Sequence, residues 1–294
     1  MHEYQYRYGL GRKRKTYIAL RVQKKGQHMK TYLAIFHIRF KYSLQYRIVV
    51  FSLIFTGFAW GMMLVLAYMA FYRSNPGGFP MELHEVISYM WMQQVLLVLF
   101  SVVFADSEIE SSVETGAIAY ELVRPVDLYG RWFSRAGATR VAFTVFRLPM
   151  LVVVFLLPAP YGLSLPPDVF QLIVFVPSVV LALGVTVSFT MIMYVTIFYT
   201  ISFGGVYVMV IAATAFLTGA VVPFPFLPPT VQAVLEALPF AAMQNMPLRI
   251  YSGNIAGADA VRGVIFQLFW LAVLIVAGKF LMRRALTKVI VQGG

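Results

Sequence analysis

The feature that most constrains this chain is the length of its uncharged apolar runs. Residues 48–72 and 169–222 contain no Asp, Glu, Lys or Arg, whereas about 20 apolar residues already suffice for one helix to cross a bilayer. Hydrophobic residues make up 60% of the 294 and charged residues 12%, compared with about 45–50% and about 25% in soluble domains. The sequence therefore predicts an all-α, polytopic membrane protein.

We predict six transmembrane helices, which cover about residues 48–71, 86–105, 137–158, 169–199, 205–222 and 263–282. The fourth would reach about 46 Å at about 1.5 Å per residue, so it must tilt, protrude or kink at Pro177. Residues 223–262 are too apolar for a free loop and too rich in proline for one span. They predict short re-entrant helices in the outer leaflet, between spans five and six.

Basic residues cluster beside the apolar runs and predict the orientation. Of the 24 Lys and Arg residues, 21 lie in residues 1–47, 106–147 and 279–294, which six spans would place on one side of the membrane. Cytoplasmic flanks of spanning helices accumulate Lys and Arg, so both termini are predicted to be cytoplasmic. The same placement explains the net charge of +12 without nucleic acid as a partner.

The region before the first span divides into two parts. Residues 1–29 form a basic tail, which we interpret as solvated and weakly attracted to anionic membrane lipid; Met29 offers a second translation start. Residues 30–47 carry apolar side chains at a spacing of three to four residues among basic ones, which predicts an amphipathic helix along the membrane interface. The six-span domain then occupies residues 48–294.

Signatures of an enzyme are missing from the sequence. The chain has no cysteine, no pair of histidines at zinc-ligand spacing and no phosphate-binding loop. We therefore assign no catalytic residue, no metal ligand and no cofactor to this chain. If ATP drives its activity, another chain must bind the nucleotide.

A few polar or small residues interrupt the apolar spans. Gln93 and Gln94 lie side by side in the second span; adjacent side chains point in different directions, which is consistent with a polar cavity or a subunit interface. Arg147 lies about a third of the way into the third span, close enough to the cytoplasmic interface to snorkel. The stretch GFAWG at 57–61 is a GxxxG match, which permits close helix approach.

The segment between spans two and three is the most structured part of the polar sequence. Residues 106–135 contain six of the twelve acids. Ser111 and Glu114 have the spacing of a capping box, and Pro125 stops a helix because the residue before proline avoids the α conformation. We predict a short cytoplasmic helix over residues 112–123.

These residues resemble a known family. The stretch ETGAIAYELVRPVDLYGRWFSR, with Gly116, Leu122, Arg124 and Pro125, is similar to the cytoplasmic segment of type-two ABC exporter permeases. The resemblance extends over about residues 29–290. It is strongest to a subfamily in which two different permeases often work with a separate ATPase.

The resemblance implies a membrane subunit of an ATP-driven exporter in a bacterial cytoplasmic membrane. Its partners would be two ABC ATPase subunits, which bind ATP and Mg, and a second permease subunit, identical or different. The alternative is a membrane scaffold or assembly factor that anchors another cytoplasmic partner. The residues expected to couple to the ATPase are Glu114, Gly116, Ile118, Tyr120, Leu122, Arg124 and Pro125.

In that role Glu114 and Arg124 would make polar contacts, Ile118 and Leu122 would fill a groove on the ATPase, and Gly116 would permit close approach. We place the translocation path, for a hydrophobic or amphipathic substrate, between two permease subunits. Its expected lining residues are Gln93, Gln94, Thr214 and Thr218.

Overall fold

A computed structural model describes residues 29–45, 47–75, 77–103, 106–124, 126–200 and 203–287. Within these ranges the regular elements are all helical, as the composition predicts. The predicted basic tail lies outside them except for Met29, where the first helix begins. Pro125 also lies outside the described residues.

The helices are α1 (29–43), α2 (Arg47–Ser74), α3 (Leu83–Val95), α4 (Leu97–Phe100), α5 (Ser107–Glu114), α6 (Ile118–Leu122), α7 (Leu128–Arg147), α8 (Pro149–Phe155), α9 (Val169–Thr196), α10 (Phe203–Leu217), α11 (Pro229–Ala237), α12 (Met246–Ser252) and α13 (Gly257–Leu286). A 3-10 turn at Phe224–Phe226 precedes α11, and a π-helical turn at Ala241–Asn245 leads directly into α12.

Four helical segments of the described chain are long and apolar enough to cross a membrane. They are Phe51–Ser74, Leu128–Phe155, Val169–Thr196 and Gly257–Leu286. The third predicted span therefore begins nine residues before its expected start at 137. The fourth predicted span is one continuous helix, α9, which contains Pro177.

The second and fifth predicted spans are shorter than a full crossing. The second is interrupted at Leu96, between α3 and α4, and the fifth contributes α10, which has 15 residues. The count of six spans therefore remains a prediction at these two places. Residues 223–262 do form short broken helices, of which α12 packs against α3 and α9; their depth in the outer leaflet also remains a prediction.

Helix α3 lies in the centre of the bundle, where every side chain from Val86 to Val95 is buried. Glycine allows α2 to approach it: a Cβ on Gly61 would lie 2.6 Å from a ring carbon of Trp91. The GxxxG stretch thus serves packing within this chain. A Cβ on Gly57 would lie 3.2 Å from the guanidinium of Arg147.

The prediction that Arg147 snorkels to the interface is wrong. Its side chain is buried, and its guanidinium donates hydrogen bonds to the backbone carbonyls of Leu53, at 3.0 Å, and of Gln94. The second carbonyl lies beside the break at Leu96. Water cannot satisfy backbone groups inside a membrane, so a charged donor there binds carbonyls of two neighbouring helices instead of reaching for the surface.

Helices α9 and α13 form the most extensive helix pair and run in parallel. Ser178 donates a hydrogen bond to Gln267 at 2.8 Å, and a Cβ on Gly184 would touch Leu271, further along both helices. Gln267 also donates to the carbonyl of Ala242 in the π-helical turn at 2.9 Å. The buried amide of Gln267 thereby joins the helix pair to the π-helical turn.

Elements from both ends of the described chain meet at one end of the bundle. Tyr32 of α1 lines a common cavity with Lys279 and Arg283 of α13. Ile109 and Ile118 of α5 and α6 pack in the same apolar cluster as residues at the C-terminal end of α13. Helix α1, the polar segment and the C-terminal end of α13 therefore lie at the same end of the bundle; the even number of spans remains a prediction.

Candidate functional site: the polar segment at one end of the bundle

The polar segment forms two short helices instead of the single predicted helix over 112–123. Asp106 caps α5 by accepting the backbone N–H of Glu108 at 3.1 Å, so the helix begins well before Ser111. Gly116 has a φ of +74°, the left-handed conformation that commonly ends helices, and α6 follows it. The predicted capping box at Ser111 is therefore wrong, because Ser111 lies inside α5.

Four charged side chains attach α5 to two other helices. Arg39 of α1 lies 3.1 Å from Asp106 and 3.0 Å from Glu108. Arg135 of α7 lies 2.9 Å from Asp106 and also contacts Glu108. The backbone N–H of Asp106 donates to the hydroxyl of Tyr194 on α9 at 2.5 Å. We call the four charged residues the ionic lock.

Helix α6 is anchored to α7 by both apolar and polar contacts. Ile118 is only 2% exposed and packs in a cluster that includes Trp132. The carboxylate of Glu121 accepts hydrogen bonds from Arg131 at 3.2 Å and from the indole N–H of Trp132 at 2.9 Å. Arg131 also donates to the backbone carbonyl of Glu121 at 2.8 Å. We call Ile118 and Glu121 the base of α6.

The burial of Ile118 corrects its expected role. A side chain that is packed inside its own bundle is not free to fill a groove on another protein. Leu122, expected to fill the same groove, is 38% exposed at the end of α6 and stays available for such a contact.

An apolar surface remains exposed beyond this base. Tyr120 is 78% exposed, Val123 82% and Leu122 38%; we call these three residues the tip. Glu114, Gly116 and Arg124 are exposed as well. Sequence reasoning missed Val123, which directly follows Leu122 at the end of α6.

The expected path residues occupy buried positions within the single chain. Gln93 donates to the carbonyl of Ala220, just after α10, at 2.7 Å, so the structure does bring the second and fifth predicted spans together. Thr214 and Thr218 donate to carbonyls of their own helix. Gln94 is buried beside Gly61. None of the four forms an exposed face on the isolated chain, and their part in a path remains a prediction.

Sequence reasoning missed most of the residues that hold the segment in place. Arg39 is 69 positions from Glu108, and a single sequence contains no signal for such a pairing. The surplus of acids in 106–121 followed by arginines at 131 and 135 was visible. Within the described ranges, no group of three or more His, Asp or Glu side chains is arranged to hold a metal.

The ionic lock is expected to weaken in acid. Partial burial alone would raise the pKa of Glu108, but hydrogen bonds and charges from Arg39 and Arg135 hold it below the ordinary value of 4.5. A carboxylate with a lowered pKa stabilises the fold above its unfolded-state pKa, and this stabilisation is lost as the pH falls through the folded-state pKa. Glu108→Gln should lower the unfolding temperature at neutral pH, and the difference from the unmodified chain should shrink as the pH falls from 4.5 through the lowered pKa of Glu108.

Glu110 provides a matched control, because its pKa is shifted in the opposite direction to that of Glu108. Its partial burial, and then the charge of Glu114, raise the pKa of Glu110, so its ionised form is disfavoured in the fold. Glu110→Gln should leave the unfolding temperature at neutral pH unchanged or slightly higher. Equal effects of the two substitutions at neutral pH would contradict the ionic lock.

The fold and the segment together define a class of protein. Helices of membrane length carry, at the end of the bundle where α1 and the C-terminal end of α13 lie, an anchored segment with an exposed apolar tip, so the chain is a helical membrane protein with a structured segment between two candidate spans. Residues 43–293 match the family described as ABC-2 family transporter protein, and the chain belongs to that family. A comparison with curated proteins gives no match.

The family match confirms the resemblance to type-two ABC permeases. Members of this family are membrane permease components of ABC transporters, and in general they work with an ABC ATPase. The chain is therefore a multi-pass membrane permease component.

Proposed function

We propose that this chain is a permease subunit of an ATP-driven exporter. Two permease subunits, identical or different, would stand on two ABC ATPase subunits, which bind ATP and Mg. The segment 106–124 would contact the ATPase. The observation that carries the proposal is the exposed tip on an anchored base, because this combination is what transmission of force between two proteins requires.

The tip has the composition of a binding anchor. Interfaces derive most of their affinity from a few central residues, among which tyrosine is prominent, and a polar rim surrounds them. Tyr120 and Val123 supply the exposed apolar centre, while Glu114 and Arg124 lie exposed in the same segment. In water such a surface is costly, which favours a permanent partner on this side of the membrane.

Force on the tip would reach the membrane helices by two routes. The first runs from α6 through Glu121 to Arg131 and Trp132 of α7. The second runs from α5 through Asp106 to Arg135 of α7 and to Tyr194 of α9. Since α7 and α9 each belong to a full-length candidate span, a displaced tip would move two spans together.

The remaining parts of the proposal rest on charge and on sequence. The clustering of Lys and Arg favours a cytoplasmic position for both termini, and the resemblance to type-two exporter permeases favours a bacterial cytoplasmic membrane. A hydrophobic or amphipathic substrate would leave the cell between two permease subunits. The buried amide of Gln93, whose oxygen has no hydrogen-bond partner among the described residues, would face that route after a rearrangement.

The test is reconstitution with an ATPase. The tagged chain is co-expressed with ABC ATPases encoded beside its gene, and the purified complex is assayed for ATP hydrolysis. A stable complex with vanadate-sensitive hydrolysis is expected. A chain that purifies alone and stimulates no ATPase in any pairing contradicts the proposal, and stable binding of a protein without a nucleotide site would favour the scaffold alternative.

The exposed charges of the segment allow a variant that keeps the membrane fold. Glu114→Lys combined with Arg124→Glu reverses both charges of the rim without touching a buried group. Membrane insertion should be unchanged while ATP hydrolysis by the complex falls. Unchanged hydrolysis would exclude these two residues from the contact.

A further inference from the structure

A second feature lies at the same end of the bundle, beside the tip, with which it shares Leu122. A cavity of about 390 Å³ lies between α1, α6, the start of α7 and the end of α13. Its lining combines cationic, aromatic and apolar side chains, including Lys279, Arg283, Tyr32, Tyr129 and Met282. We call it the cationic cleft.

The two basic residues of the cleft have no acidic partner among the described residues. Lys279 and Arg283 are exposed and form no ion pair with a described residue. The ammonium of Lys279 lies 5.8 Å from the centre of the Tyr129 ring, a cation–π contact. One helical turn separates the two cations, so both can reach one anion.

The two acids that also line the cleft are occupied elsewhere. Glu121 accepts hydrogen bonds from Arg131 and Trp132. Asp127 accepts the backbone N–H of Gly130 at 2.9 Å, which caps α7. Their charges are balanced by Arg131 and by the start of a helix, so the open positive charge of the cleft belongs to Lys279 and Arg283.

Close packing builds the floor of the cleft. A Cβ on Gly278 would lie 2.9 Å from a ring carbon of Tyr129, and a Cβ on Gly130 would lie 2.7 Å from the ring of Tyr32. Glycine at these two positions therefore lets α13 approach α7 and lets α1 approach α7. The rings of Tyr32 and Tyr129 thereby line the cleft, and Tyr129 lies under Lys279.

The surroundings of the cleft favour a lipid over a soluble anion. Lys279 and Arg283 lie in the last two turns of a candidate membrane span, and the ends of spanning helices lie where lipid headgroups meet water. Val276, one turn before Lys279, is 69% exposed and continues an apolar surface toward the membrane. A phospholipid whose phosphate lies in the cleft would place its acyl chains against α13. A soluble anion would leave that apolar surface uncovered.

We propose that the cationic cleft binds the phosphate group of an anionic phospholipid from the leaflet on this side of the membrane. The assignment to the cytoplasmic leaflet rests on the proposed function. Leu122 lines the cleft as well as belonging to the tip, so the bound lipid joins the end of α13 to the segment that contacts the ATPase. Loss of the lipid loosens that segment.

The test measures lipid retained by the purified full chain without any ATPase. The chain is exchanged into mixed micelles that contain phosphatidylglycerol and phosphatidylcholine, and bound lipid is counted by native mass spectrometry. Phosphatidylglycerol should be retained preferentially. Lys279→Ala with Arg283→Ala should weaken its binding about thirtyfold.

Two further variants distinguish lipid binding in the cleft from general attraction to positive charge and from misfolding. Arg284→Ala removes a cation at the same depth that stacks on Phe280 outside the cleft, and retention should be unchanged. Lys279→Arg with Arg283→Lys keeps both charges and should retain the lipid within about threefold.

Three outcomes would overturn the proposal: equal retention of the two lipids, wild-type retention by the double alanine variant, or displacement of the lipid by inorganic phosphate. Because the readout is binding to this chain alone, a failed ATPase reconstitution would leave the result interpretable.

Discussion

Replacing Tyr120 and Val123 with aspartate is expected to abolish productive assembly with the ATPase. Both side chains are about four-fifths exposed, so the substitutions remove apolar surface from the contact and disturb no buried packing. Central interface residues commonly contribute 2 kcal/mol or more each, about 30-fold in affinity per residue. The affinity for the ATPase should fall at least about a hundredfold, as measured by titration of the purified subunits.

The control for this prediction is a conservative substitution that should have little effect on assembly. Tyr120→Phe keeps the ring and removes only an exposed hydroxyl, and it should assemble almost normally. The unfolding temperature of the doubly substituted permease should equal that of the unmodified chain. Undiminished affinity of the aspartate variant would show that the ATPase contacts another surface.

Glu121→Ala is expected to have the largest effect on stability. The substitution leaves the guanidinium of Arg131, whose side chain is 6% exposed, without its carboxylate partner, and it also removes the acceptor of the Trp132 indole. Removing one partner of a buried ion pair typically costs about 3–5 kcal/mol. The retained backbone bond from Arg131 places the expected loss near the lower end, about 3 kcal/mol in unfolding free energy.

Glu114→Ala is the matched control for the loss at Glu121. It removes a carboxylate from the same segment, but Glu114 is exposed, and exposed substitutions usually change stability by less than about 0.5 kcal/mol. Unfolding in mixed micelles with rising sodium dodecyl sulfate measures both variants. A similar small loss from both would contradict the anchoring role of the base of α6.

The class of the protein follows from composition and order along the chain. Apolar runs of membrane length, clustered basic residues and the punctuated segment are local patterns that predict a multi-pass membrane protein, and the family match confirms the permease that the resemblance implied. The tip could be anticipated in part, because Tyr120 and Leu122 interrupt a polar segment. Local patterns suffice here because membrane length and helix-ending residues act through neighbouring positions.

The arrangement of the residues in this segment could not be predicted from local sequence patterns. Ser111 and Glu114 match a capping pattern, yet Asp106 provides the cap and Gly116 divides the segment. A capping pattern records only local possibilities, and the competing cap is stabilised by distant partners, Arg39 and Arg135. The helix boundaries were therefore decided by contacts between separate elements.

The sequence by itself determined that this chain lies in a membrane and carries a structured polar segment between two spans, because hydrophobicity, charge and helix punctuation are properties of neighbouring residues. Only the tertiary structure decided which side chains anchor the segment and which face outward. Ile118 is buried while Val123 is exposed, and Arg147 binds backbone carbonyls inside the bundle. These outcomes depend on which helices pack together, and burial of apolar surface and pairing of buried charges are settled only when the whole bundle has formed.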